Sequence, residues 1–546
     1  MEYFSIPFNI SLLKNHILKD PIIDWFNIQE VLIKNSYKRD QNTYYKDFII
    51  KEYNTYKDNF FNNLIKKYEE DIPRSNSIET TQIMLKERKG LILNGKLLYD
   101  DMIVYCDIII HIDLFNKLFP NIKNYSMQSI ENEYILINLS YSCINFKSDM
   151  KESLNDGVIP YKKCVLFSFS KCFEKIFGYT PKTFIIGKEY YYKKEKLQRN
   201  EYISYVIPCE NIIRRYIKAY NWIHLLRTNI KSMKIYDKPT HKELYPNMNI
   251  KNSDWENEKI KLAKKIKEIT LVWNVSYEER CTLHEKGVYC WNDNKLLNKL
   301  KESKKRDIQE RMIHMNKTDD ILIYPRKNIS SILKEILKEK ETSNIFFDVE
   351  SFLNIEEKDD FFNKKENKYL NPILAILGFY YCDKFYDFTI QNFSINEEKK
   401  IVSLFSKELW KIHDKYGRVN IFHWGHAECK YMDYIHEKHD DIDFPDYILI
   451  DLLEQFRMEP IIVKGIFKFG LKSIGKALYE NKLIKTTWDE ENDNGLDAMI
   501  KFKEICMKNK KIPLKRYIII KEIIDYNRID CKVLQEIHEL LVKNYI

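Results

Sequence analysis

Hydrolysis of a phosphodiester without a covalent intermediate needs an activated water and neutral company for the attacking and leaving oxygens. Two divalent ions ~3.5–4 Å apart meet both needs, so the protein must gather carboxylates on rigid elements. Mg²⁺ and Mn²⁺ favour such hard oxygen donors. In this sequence the first candidates are Asp348 and Glu350, directly after Ile345-Phe346-Phe347. On a strand, positions i and i+2 share a face, so both carboxylates point the same way. The second set lies in Tyr526-Asn527-Arg528-Ile529-Asp530, within a stretch of helical spacing. There i and i+4 are neighbours, which sets a phenol beside a carboxylate and lets it orient an attacking water. Each motif alone is common and ordinarily structural: a strand end surfacing, or a helix face. Their conjunction about 180 residues apart, with the first opening and the second closing one α/β region, is far less common.

The elements that would carry them are legible. NIFFDVESF (344–352), NPILAILGFYY (371–381) and KFYDFTIQNF (384–393) are three strand candidates, followed by a helix over about 396–415. GRVNIFHW (417–424) and DYILIDLL (446–453) read as strands separated by the helical AECKYMDYIHEKH, and from residue 471 the chain reads helical to its end. That order predicts an α/β domain with a mixed sheet over 339–546.

On these motifs the C-terminal region resembles the RNase H-like, DEDDy (DnaQ-like) exonucleases, in the form found C-terminal to RecB-type nuclease modules. In that family a histidine–aromatic stretch with a carboxylate follows the fourth strand; here it reads His423-Trp424-Gly425-His426-Ala427-Glu428. YILIDLLEQFR and FGLKSIGKAL (469–478) are also similar. The resemblance implies that Asp348, Glu350, Glu428 and Asp530 hold two Mg²⁺ or Mn²⁺ ions and that Tyr526 positions water. Glu428 stands where polymerase-type exonucleases carry Asp, which leaves Asp451, at the end of the next strand, as an alternative ligand or as a helix cap. His423 and His426 are placed to touch phosphate or to pack.

Residues 80–190 resemble a RecB-type PD-(D/E)xK nuclease, with helices before them. KGLILNGKLLYDDMIVYCDIIIH (89–111) reads as strands divided at Asn-Gly and Asp-Asp, EYILINLSYSCINF (133–146) as a further strand, and VLFSFSKCFEKIFGY (165–179) as a helix that Gly178 would cap. Asp107 falls in the role of the first carboxylate. Asn138 and Ser140 stand where the family's D/E and Lys belong, and Cys164 and Ser168 where it carries Gln and Tyr. Lys147 and Lys162 are the substitutes at hand for the missing lysine. This resemblance implies a restriction-endonuclease-like α/β domain over 1–205 that has lost cleavage, joined through a helical connector (206–338) to the exonuclease domain. The connector carries Trp273 and the turn from Gly287 to Trp291, similar to the link in two-domain proteins of this type.

The function expected is a metal-dependent nuclease, a 3′→5′ exonuclease on DNA or RNA; the alternative is a catalytically silent nucleic-acid-binding scaffold built on two nuclease folds. An RNase H-like endonuclease or resolvase would share the metals, and Tyr526 favours the exonuclease. At 546 residues the chain exceeds one core. Its net charge of +9 fits a polyanionic partner, although a bias toward Lys, Asn, Ile and Tyr accounts for it equally well. Eleven cysteines without C-x-x-C spacing argue against zinc ribbons and disulfide frameworks. With no long apolar run and no signal-like start, a soluble, intracellular protein, cytoplasmic or nuclear, is expected.

Overall fold

The structure, a computed structural model, describes residues 4–33, 37–41, 44–68, 74–125, 133–251, 254–303, 305–318, 321–325, 328–338, 343–352, 372–488, 495–508 and 513–546. It is α/β, with mixed sheets, and divides into two compact units. Met1–Asn42 and Lys46–Ile266 form the body of the first, Lys267–Ile355 and Lys368–Ile546 that of the second. The helical stretch 206–338 is thus shared out between them at residue 266.

The first unit is built on seven strands: β1 (Phe8–Asn9), β2 (Leu91–Tyr99), β3 (Met102–His111), β4 (Tyr134–Asn145), β5 (Lys182–Tyr192), β6 (Glu195–Leu197) and β7 (Ser204–Tyr205). β3 lies between antiparallel β2 and β4 and also takes β1 in parallel; β4 and β5 run parallel. The helix Ile159–Phe177 connects these parallel strands, as a crossover requires. Fourteen of its side chains are buried, and Gly178 ends it at φ +78. Asp100-Asp101 makes the β2–β3 hairpin. Asn94-Gly95 does not turn the chain as the sequence suggests: β2 runs straight through it. Asn94 takes φ +58, a left-handed value that Asn tolerates, while the pairing continues on both sides of it.

In the second unit β8 (Ile323–Tyr324) pairs with β14 (Ile462–Val463), and a five-stranded sheet carries β9 (Asn344–Phe352), β10 (Ile373–Tyr381), β11 (Lys384–Thr389), β12 (Val419–His423) and β13 (Tyr447–Asp451). The strand order is β11-β10-β9-β12-β13, antiparallel through β11, β10 and β9 and parallel from β9 to β13. β9 is therefore central. The C-terminal helix Ile518–Tyr545 covers one face, burying Cys531, Leu534 and Ile537 in a core with Phe346 and Phe422. The helix Ile395–Tyr416 covers the other, where Phe405 stacks on Phe347 at 5.1 Å. Alternation along β9 follows: Phe346 faces the C-terminal helix, Phe347 the opposite layer, and Asp348 and Glu350 fall on the side of that helix.

Candidate metal centre

Asp348 lies in the middle of β9, opposite Gly378 of β10, with Glu350 two residues on. The C-terminal helix brings Asp530 across them. Among the described residues these three carboxylates form the one group of acidic or metal-ligating side chains whose ligand atoms all lie within 4.8 Å of one another.

Like charges this close, held away from water, repel. Burial, then Asp530, Glu350 and Glu428, push the Asp348 carboxyl well above the usual carboxylate range. Burial and Asp530 raise Glu350 to about 8, against the pull of Lys472. Burial raises Asp530 to about 7, although Trp488, Lys472 and Tyr526 all hold it down. Such a cluster is unfavourable as anions unless a cation joins it, and its donors are all hard oxygens. The residues present fit Mg²⁺ or Mn²⁺.

Glu428 lies in the first turn of the helix His426–Lys438 and is buried; its charge reaches all three carboxylates, but it stands outside the 4.8 Å group. Its Oε2 has no hydrogen-bond partner, and His423 Nδ1 is 3.7 Å away. That ring nitrogen is 2.9 Å from the Gly425 carbonyl, to which it donates, so His423 is a packed, hydrogen-bonded residue. His426 is exposed. Asp451 caps the helix Leu452–Met458: its Oδ1 accepts from Leu453 N at 2.9 Å and from Gly425 N at 2.8 Å. Of the two alternatives at this position, the cap is what the geometry displays.

Tyr526 lies one helical turn from Asp530, and its hydroxyl helps hold the Asp530 carboxyl down. Lys472, in the first turn of the helix Leu471–Glu480, places its ammonium 4.8 Å from the Tyr526 ring centroid. Three supporting residues carry no signal that sequence reasoning used. Trp488 Nε1 donates to Asp530 Oδ1 at 2.7 Å. Asn527 Nδ2 donates to Asp348 Oδ2 at 2.7 Å, although it sits inside the very motif that names Tyr526 and Asp530. Gly378 makes that contact possible: a Cβ there would stand 1.7 Å from Asn527 Oδ1. Lys472, inside FGLKSIGKAL, belongs to a recognised stretch without a role attached.

The other sequence candidate, Asp107 on β3, is buried in different company. Its Oδ1 accepts from Lys57, on the helix Tyr44–Tyr68, and its Oδ2 from Leu139 N at 2.8 Å; its own N–H donates to Asn138 Oδ1 at 2.9 Å. Burial works against its charge, but Lys57 and Lys162 outweigh it and hold the carboxyl below its ordinary value. Lys147 is turned to Glu152 at 3.0 Å. Ser168 hydroxyl bonds the Val165 carbonyl within its own helix, and Cys164 is fully buried. The Asn138 Nδ2 and Ser140 Oγ atoms are buried without a hydrogen-bond partner.

No model of a protein family, no curated protein and no solved structure matches this chain. Among the described residues, no helix is long and apolar enough to cross a membrane.

Proposed function

We propose that the second unit is a metal-dependent nuclease, a 3′→5′ exonuclease that hydrolyses DNA or RNA. The observation that carries this reading is the convergence of Asp348, Glu350 and Asp530 from a central strand and a crossing helix, with Tyr526 one helical turn from Asp530. The mixed sheet, with β9 at its centre and the C-terminal helix across it, supports an RNase H-like domain of the DEDD type over 339–546. The first unit then contains a PD-(D/E)xK-like domain (1–205) that no longer cuts, and 206–338 is the helical connection.

Asp348, Glu350 and Asp530 would hold Mg²⁺ or Mn²⁺, with Glu428 completing the shell from the opposite helix. Bound divalent ions supply the activated water and the neutralisation of charge on the attacking and leaving oxygens. Asn527 and Trp488 fix the carboxylates on either side so that little reorganisation is needed. Tyr526 orients the attacking water while its ring is steadied by Lys472, whose ammonium also adds positive charge beside a polyanion. A scaffold that only grips nucleic acid would have no use for three carboxylates raised against one another.

End-labelled single- and double-stranded DNA and RNA, incubated with the full chain and Mn²⁺, should be shortened from the 3′ end. EDTA or Asp348→Asn should stop it. Degradation that survives either treatment refutes the assignment; intact substrates throughout favour the silent scaffold.

A further inference from the structure

The first unit holds a cavity of about 230 Å³ beside Asp107, lined by Asn9, Lys57, Asn76, Asn94, Lys96 and Asp107 among others. Asp107 is the one acid among its described lining residues, and Lys57 already neutralises it. Lys96 adds a second cation at the wall, its ammonium 3.0 Å from the Asn76 carbonyl. Lys162, buried behind them and 3.3 Å from the Tyr53 hydroxyl, adds a third close enough to act on Asp107. Two lysines and one carboxylate thus line the cavity, and a third lysine acts on that carboxylate from outside the lining. The partly exposed ammonium groups of Lys57 and Lys96 leave a net positive charge at the cavity wall, which attracts an anion.

The backbone is shaped to the same spot. Asn94 stands directly across from Asp107 in the β2–β3 register, between the pairs Leu93–Ile108 and Gly95–Cys106. Its φ of +58 in mid-strand is a left-handed value that Asn tolerates, and it interrupts the regular strand pairing opposite Asp107. Ammonium groups and carboxamides are the donors that phosphate oxygens take. The volume falls below the ~300–1,000 Å³ of sites that enclose a drug-sized ligand, and it has room for a phosphate group.

We propose that this cavity is a phosphate-binding site, in which Lys57 and Lys96 hold an oxyanion where a metal-dependent nuclease would hold a cation. The oxyanion is that of free phosphate or of a nucleic-acid 5′ end. The inference stands apart from the chemistry of the second unit, and its failure would leave that reading untouched.

The test is calorimetric titration of the full chain in the Asp348→Asn background with EDTA, using inorganic phosphate, a 5′-phosphorylated DNA decamer and its 5′-hydroxyl counterpart. Inorganic phosphate should bind, with Lys96→Gln weakening it roughly 3- to 10-fold, the scale of one charge-assisted contact. Asp107→Asn, which removes the one repelling carboxylate and keeps the Leu139 contact, should tighten binding by a similar factor. A preference for the phosphorylated decamer identifies a nucleic-acid end as the source, and equal binding of the two decamers identifies free phosphate; both support the site. No binding of millimolar phosphate, or affinity unchanged in both variants, overturns it. A Lys57→Met/Asp107→Asn pair that still folds and binds as tightly as the parent overturns it as well.

Discussion

Asp107 and Asp348 occupy comparable places, each on a strand flanked by neighbours on both sides, and they meet opposite fates. Asp107 has lysines of its own chain beside it, which hold its carboxyl below the ordinary value; Asp348 has carboxylates beside it, which with burial push its carboxyl well above that value. A carboxylate removed from water must obtain its countercharge from the protein or from solution. The first unit has supplied its own, which leaves a divalent cation nothing to gain there. The second has left the demand open, and that is the property a metal site needs.

The comparison breaks first on activity. Asp348→Asn should lower Mn²⁺-dependent degradation by at least roughly 10³-fold, the several kcal/mol that metal-ion stabilisation supplies. Asp107→Asn should leave the rate where it was. Equal losses from the two variants, measured as initial rates on the same labelled strand, would end the contrast.

Stability should respond in the reverse sense. Lys57→Met strands the buried Asp107 charge and should cost about 3–5 kcal/mol by urea denaturation, as breaking a buried pair does. Adding Asp107→Asn to it should recover most of that loss. In the second unit, Asp348→Asn should raise metal-free stability, because it removes a repelling charge.

The pH dependence sharpens the same point. Glu350 and Asp530 have folded pKa values near 8 and 7, above their unfolded ones, so their folded forms bind extra protons. Their contribution is greatest at low pH and is lost as pH rises from the ordinary carboxylate range through about 8. Asp107, with a lowered value, contributes above its unfolded pKa and loses that as pH falls. Metal-free protein should therefore lose stability between about pH 5 and 8, on the order of a few kcal/mol, read as a falling melting temperature. Asp348→Asn should flatten that limb, and Mn²⁺ should lift the melting temperature most at its alkaline end. A thermal melt series with and without Mn²⁺ reads both.

The smallest effects belong to the supports. Gly378→Ala drives a methyl into Asn527, and Trp488→Phe removes the donor to Asp530; each should slow turnover about 10- to 100-fold, the usual scale for groups that orient ligands. Tyr526→Phe belongs to the same range, with Mn²⁺ affinity unchanged by calorimetry. Rates equal to wild type in all three would show that the carboxylates need no such orientation.

Much of this was legible because it is local. Period-2 alternation marks Asp348 and Glu350 as sharing a face, and helical spacing sets Tyr526 beside Asp530. The strands, the cap at Gly178 and the alternation of elements follow from the same short-range rules. Asn94-Gly95 misled as a turn because a dipeptide signal says what a backbone tolerates, and the strand pairing on both sides overrode it. Lys57 was invisible as a partner of Asp107, since nothing in YKDNFFNNLIKKY marks one lysine of a helix as bound inward. Trp488 and Gly378 likewise gain their roles only from what packs against them.

The sequence by itself determined which carboxylates share a strand face or a helix face, and that Asn138 and Ser140, neither a carboxylate nor a lysine, stand on the strand that follows Asp107. Only the tertiary structure decided where the countercharges lie, with Lys57 and Lys162 acting on Asp107, and Lys472 acting on Glu350 and Asp530. Spacing along a chain fixes direction through covalent geometry. Electrostatic company depends on distances between residues far apart in sequence, and those exist only once the sheet and its covering helices have packed.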